Sequence, residues 1–233
     1  MTIREQIIAA IETQLADIRT ANGYRTECGA NVHTVRSKLD PDELPAVVLW
    51  PKIETVERRY NENHCTTAVE VEALSLLGSS DPVDVSEAML ADLIECLTGD
   101  TWALPFDSGA TEISLGDTIT GATSKATGYV ISVSITSGSW VENDAVGTIA
   151  LRRVAGEFQA ENLKVSGAVV AAATGAPTGQ SSIDAMGGLI DDIAYAQGGT
   201  ESYPQPGEIS TGSQTTFSIL YRTLAGDPYH QPE

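Results

Sequence analysis

The stretch Gly121-Ala122-Thr123-Ser124-Lys125-Ala126-Thr127-Gly128 comes nearest to a phosphate-cradling loop, with glycines bracketing hydroxyls and a lysine. Such a loop needs lysine and hydroxyl together at a helix N-terminus, in the order G-x-x-x-x-G-K-[ST], and that order is missing here. His64-Cys65, with His33 or Cys28, offers metal-ligating atoms. Neighbours in a strand point to opposite faces, however, and no C-x-x-C or H-x-x-x-H spacing fixes a tetrahedral site, so the expectation is a loop histidine beside a buried cysteine. Carboxylates cluster at Asp191-Asp192 and at Asp40, Asp42 and Glu43. Glycoside hydrolysis needs two carboxylates facing across a cleft with one pKa raised. In a chain with 32 acidic residues, adjacency alone describes solvated surface. No G-x-S-x-G elbow marks an acyl-transfer nucleophile. These residues predict no catalytic group, no metal, no cofactor, and a protein that is not an enzyme.

Basic side chains are scarce enough to be informative. The 233 residues carry 13 Lys and Arg against 32 Asp and Glu, a formal net charge of −19, which excludes a dedicated nucleic-acid binder. Arg58-Arg59-Tyr60 is the one adjacent basic pair of the first domain, and Arg152-Arg153 its counterpart further on. In an acidic chain such pairs are natural complements to a neighbour's carboxylates, and Tyr60 is an anchor of the type enriched at interfaces, so Arg58, Arg59 and Tyr60 are the candidate subunit contact. Hydrophobic residues make up 42%, with 21 Gly and 10 Pro, which excludes collagen-like and wholly disordered chains. Cys28, Cys65 and Cys96 are odd in number and widely spaced, which favours a reducing compartment. Arg4, Glu5, Glu12 and Asp17 interrupt the apolar residues of the N-terminus, so neither a signal-peptide core nor a membrane span is expected there. The protein is expected to fold in a cytosol.

The elements that must position these residues follow from periodicity. Thr2 and Glu5 form a T-x-x-E capping box, and Ile3, Ile7, Ile8, Ile11, Leu15 and Ile18 recur at helical spacing up to Asn22-Gly23. Leu44 to Pro51 is a short apolar run bounded by prolines, a buried strand that ends sharply. Ile53 to Tyr60 and Cys65 to Leu77 form a hairpin around Asn61-Glu62-Asn63-His64. Asp81-Pro82 opens a second helix, with Val85, Met89, Leu90, Leu93, Ile94 and Leu97 on one face and Gly99 as its stop. From about Pro105 to Ser182 the composition shifts to short strands, such as Tyr129 to Thr136 and Thr148 to Val154, between Gly/Ser/Thr turns. Gly116 to Gly121 and Glu161 to Gly167 form a weak internal duplication there, suggesting a pseudo-symmetric barrel or sandwich. Periodicity returns at Gly188 to Tyr195. A Gly/Pro-rich loop, Gly198 to Gly207, then leads to a strand with Thr215, Phe217, Ile219, Tyr221 and Thr223 on one face, and to a polar tail.

The fold class expected is α+β: two helices on a mixed or antiparallel sheet, residues 1–104 plus 183–233, interrupted by a small all-β barrel or sandwich at 105–182. In order, the outer elements are a helix, the run Asp42-Glu43-Leu44-Pro45-Ala46-Val47-Val48, a hairpin ending in Ala68 to Leu74, a helix after Asp81-Pro82 and a strand from Thr215 to Thr223. This order resembles the lambda-type tail terminator proteins of long-tailed bacteriophages, which are minor tail proteins. The resemblance covers roughly residues 1–104 and 184–233, and its most recognisable element is the acidic-x-Leu-Pro-Ala-Val strand opening. It implies a structural virion subunit, with no catalytic residues, that forms a hexameric ring, caps the finished tail tube, stops its polymerisation and presents a joining surface for the head connector or neck. Segment 105–182 departs from a compact terminator and is similar to Gly/Thr-rich β-modules of phage virion proteins. DNA would pass through the ring's lumen without specific binding, which suits the net charge of −19. The alternatives are a tail tube or neck-completion protein, or a carbohydrate-binding virion module using Trp140 and Tyr129.

Overall fold

A computed structural model describes residues 1–76, 78, 81–181, 184, 186–200 and 210–232. It divides into two compact units, Met1–Thr20 with Tyr24–Thr98 and Ser182–Glu233, and Ala21–Gly23 with Gly99–Ser181. The architecture is α+β: two helices packed on a mixed five-stranded sheet, and a seven-stranded antiparallel sheet that is nearly closed.

In the first unit, helix α1 (Ile3–Ala16) starts on the Thr2/Glu5 capping box, in which each side chain accepts from the other residue's backbone N–H. Its stripe Ile3, Ile7, Ile11 and Leu15 is buried. The helix stops at Ala16, earlier than Asn22-Gly23 suggests, because Cys28–Ala30 turns back against it and Gly29 N donates to Ile18 O. A Cβ on Gly29 would lie 2.1 Å from Leu15 O, so only glycine fits this crossing. The strands are β1 (Val32–Thr34), β2 (Ala46–Arg59), β3 (Glu62–Leu76), β11 (Asp192–Thr200) and β12 (Ser210–Leu224), arranged β1-β2-β3-β12-β11. Among the described residues of this sheet only the β1–β2 pair is parallel.

Helix α2 (Pro82–Thr98) begins with Val83 N donating to Asp81 Oδ1 at 2.8 Å and packs Met89, Leu93 and Leu97 onto the sheet. Val69, Val71, Phe217, Ile219 and Tyr221 supply the sheet side of that core, and the alternation of β12 buries Thr215, Phe217, Ile219, Tyr221 and Thr223 together. The C-terminal turn is tied down as well, since Ile3 N donates to Pro228 O at 2.9 Å.

Three local readings are corrected. Leu44 to Pro51 and Ile53 to Tyr60 are not separate strands but one, β2, which runs through Pro51 because a bulge between Pro51 and Glu54 absorbs the missing N–H. The hairpin turn is Tyr60-Asn61, with Tyr60 at φ 53°, while Glu62, Asn63 and His64 already belong to β3. The short β1 carries no periodicity of its own, and the sequence reading passes over it. Leu77 at the end of the predicted hairpin strand, Ser182 and Ile183 at the predicted boundary, and Glu201 to Gly207 of the Gly/Pro-rich loop lie outside the described residues.

The second unit holds β4 (Thr101–Gly109), β5 (Thr118–Gly121), β6 (Thr127–Ser137), β7 (Ala145–Ala155), β8 (Glu161–Val165), β9 (Ala168–Ala173) and β10 (Thr178–Gln180). Their order is β10-β4-β7-β6-β5-β8-β9, and a further β4–β9 pairing brings the sheet round on itself. Leu104, Phe106, Ile119, Val130, Ile149, Leu151 and Leu163 fill the interior. The two halves of the weak duplication lie side by side, with Ile119 opposite Val165 and Gly121 opposite Leu163. This unit begins at Gly99 rather than Pro105, because β4 already pairs with β7 from Trp102 onward and Pro105 sits within it opposite Thr148.

Candidate assembly surface and the groups that could do chemistry

Beyond Leu49 the strand β2 leaves the core. Val47 to Leu49 are flanked by β1, whereas Trp50 to Arg59 pair only with β3 among the described residues. The first turn of α1 reaches this stretch through Arg4, which donates to Lys52 O, and the side chains from Thr55 to Tyr60 are exposed. Tyr60, at the turn, is 99% exposed, and Ile53, in the bulge, 88%. Arg59 pairs with Glu57 of its own strand at 2.9 Å, and Arg58 has no ion pair among the described residues. Arg58, Arg59 and Tyr60 therefore stand together at the tip of a projecting hairpin, a cation pair beside a fully presented aromatic ring.

At the base of this hairpin lies a cleft of about 330 Å³ lined by Arg4, Glu54, Cys65, Tyr221, Thr223 and Asp227, among others. The Tyr221 hydroxyl donates to Glu54, and burial together with that carboxylate pushes the phenol above its usual range. Within the cleft Glu54 is engaged by the phenol and Asp227 by His230 at 2.7 Å, and the Cys65 thiol is pushed up by burial and by Glu54.

The other sequence candidates are dispersed. His64 lies on the helix-free face of β3, 3.6 Å from Glu62, while Cys65 is buried on the opposite face. Cys28 sits in the core, where burial pushes its thiol up to about 12. No group of three or more His, Cys, Asp or Glu able to hold a metal ion occurs among the described residues. Asp191 is occupied by the Arg222 guanidinium at 3.0–3.1 Å, whereas Asp192 is exposed in β11. Glu43 caps the turn at Asp40 and pairs with Arg36 at 2.7 Å; the Asp40 N–H, against some desolvation, holds its carboxyl below the usual range.

In the barrel, the Gly121–Gly128 loop does form an anion cradle, and the chain fills it itself. Glu161 accepts from Thr123 N at 2.6 Å, from Ser124 N at 2.9 Å and from the Ser124 hydroxyl. Burial opposes its charge, but these donors outweigh it and hold the carboxyl below its ordinary value. Lys125 folds back onto Ala122 O. Trp140 stacks on Phe106 with centroids 5.4 Å apart, and the Arg153 guanidinium lies 5.0 Å over Tyr129, so each ring has a face engaged within the barrel.

Two buried polar groups escape a sequence reading. Asp92, fully buried on α2, accepts from Arg25 N, Thr26 N and the Thr26 hydroxyl, and Ser86 donates to Gly212 O at 2.9 Å. Burial pushes the Asp92 carboxyl up while those donors oppose the rise. Asp92 fixes the Arg25-Thr26 loop to the helix, and Ser86 fixes the helix to β12 and, through Thr200, to β11. Their signal, a polar residue within an apolar helix face, is visible in sequence, but their partners are not.

No described helix is long and apolar enough to cross a membrane. No protein-family model matches the chain, and no curated protein matches it.

Proposed function

We propose that this protein is a structural virion subunit, a tail terminator of a long-tailed bacteriophage. It forms a ring, of six copies on the resemblance, that caps the tail tube, ends its polymerisation and presents the surface to which the head connector or neck joins. It works without catalytic residues or cofactors, is assembled in the host cytoplasm, and resides at the head-proximal end of the tail. The observation that carries the reading is the assembly of the outer elements into one unit: α1, the Asp42 to Val48 run leading into β2, the β2–β3 hairpin, α2 after Asp81-Pro82, and β12 on a common core. A hairpin that leaves that core and ends in Arg58, Arg59 and Tyr60 supports a contact between subunits. The net charge of −19 suits a lumen through which DNA slides without being gripped.

The direct functional test adds the purified protein to tubes polymerising from the tail tube protein of the same virus. Arrest of growth with density at one tube end is the expected result. Incorporation along the tube wall would make it a tube protein instead, and no association would remove the tail reading.

A further inference from the structure

Among the described residues the five-stranded sheet has two open edges, and they complement one another. On one side no outer neighbour is described for β2 beyond Leu49, and on the other β11 is the last strand described. Near its bulge the β2 edge is guarded, because Arg4 donates to Lys52 O; from Glu54 to Arg59 the backbone edge has no outer strand among the described residues. The strands β2, β3, β12 and β11 are successively antiparallel, so β2 and β11 run in opposite senses. A second copy placed beside the first by rotation alone therefore sets its β11 antiparallel to the first copy's β2.

Side-chain faces then select the register. Val56 pairs with Cys65, and Tyr195 with Phe217, both on the face that carries the core; Arg59 pairs with Glu62, and Asp192 with Leu220, on the opposite face. Opposed residues must share a face, so registers shifted by one residue are excluded. Shifting by two in one direction sets Glu57 against Asp192, two carboxylates; shifting by two in the other places Asp192 at Asn61, beyond the strand. The remaining register puts Arg59 opposite Asp192, Glu57 opposite Ala194, and Val56 opposite Tyr195, which are 53% and 39% exposed. It joins an aromatic to a β-branched side chain and a cation to an exposed acid, the pairs that stabilise sheets. It ends at the β11 bulge between Tyr195 and Gln197.

Through β3 and β12, Arg59 lies level with Leu224, whereas Asp192 lies level with Leu220. Joining them slides each copy by four residues, about 13 Å, across four strand spacings of about 19 Å. That inclines the strands by about 35°, within the tilt that closed sheets adopt.

We propose that copies of this chain join edge to edge, β2 of one to β11 of the next, with Arg59 against Asp192 and Val56 against Tyr195, so that the sheets form one continuous closed wall. This rests on the ring reading above and specifies its seam. The test is disulfide trapping in a Cys96→Ser background. The double variant Glu57→Cys/Ala194→Cys should give, under mild oxidation, a covalent ladder ending at the ring size, and neither single variant should cross-link. Arg59→Asp and Asp192→Arg should each deplete rings, and their combination should restore them. Rings seen by microscopy that neither cross-link nor respond to the charge swap would overturn the seam while leaving the ring reading intact. A single variant that cross-links to itself would overturn it in favour of a two-fold contact. A wild-type chain that stays monomeric at every soluble concentration would overturn both.

Discussion

Glu161 shows how one side chain decides what a loop is for. The backbone N–H groups of Thr123 and Ser124 converge as they would on a phosphate, but a carboxylate 37–38 residues away in sequence occupies the place. Its folded pKa lies below the ordinary carboxylate value, so the unfolded chain takes up its proton first as pH falls. The stabilisation is therefore complete above the unfolded pKa of about 4.3 and is lost as pH drops through the folded value. Glu161→Gln should lower barrel stability by about 1–3 kcal/mol at neutral pH, the cost of a weakened set of hydrogen bonds to buried donors. The gap from the parent should narrow below pH about 4. Trp102 and Trp140, two of the three tryptophans, lie in the barrel and report it by fluorescence during urea titration at several pH values. A gap independent of pH would mean that the carboxylate's charge is not what the loop holds.

Among the elements, α1 is the one whose role was plainest in the sequence: the capping box and the isoleucine stripe name both its start and its buried face. Ile11→Asp removes a fully buried side chain and introduces a carboxylate among Leu15, Val47 and their neighbours, so unfolding should require at least about 3 kcal/mol less. An unchanged denaturation midpoint would mean that the helix does not close this core. The boundary between the two units was harder to read. Pro105 looks like a breaker, yet it sits inside β4, tolerated where its carbonyl still accepts from Thr174 N. Replacing Gly99–Ser181 by a Gly/Ser linker should thus leave a soluble first unit with a cooperative melt, whereas a cut at Pro105 strands the first half of β4. Loss of the cooperative melt in the first of these would show that the outer elements need the barrel in order to fold.

Alternation made β12 legible because its inward positions from Thr215 to Thr223 are apolar, aromatic or threonine; β1 was not, because three residues carry no period. Arg58, Arg59 and Tyr60 could be picked out as a basic pair beside a turn. That they project from an unflanked strand could not, since β1 stops covering β2 after Leu49 only in three dimensions. The Asp92 and Ser86 contacts were hidden for the same reason: a sequence shows the polar residue and not the loop or strand that it holds.

At the scale of the whole molecule, acidity and assembly are coupled. Copies of a chain with a net charge of −19 repel one another unless their few cations lie at the seam. Replacing both Arg58 and Arg59 by Glu should move the protein from ring to monomer in light scattering while the monomer's melting temperature changes little, because both side chains are exposed. The central claim is that this chain closes a ring of defined size, and electron microscopy of the purified full-length protein, without any partner, tests it most directly. The account predicts single closed rings of one diameter that do not stack. Long tubes, open filaments or monomers alone at high concentration would contradict it.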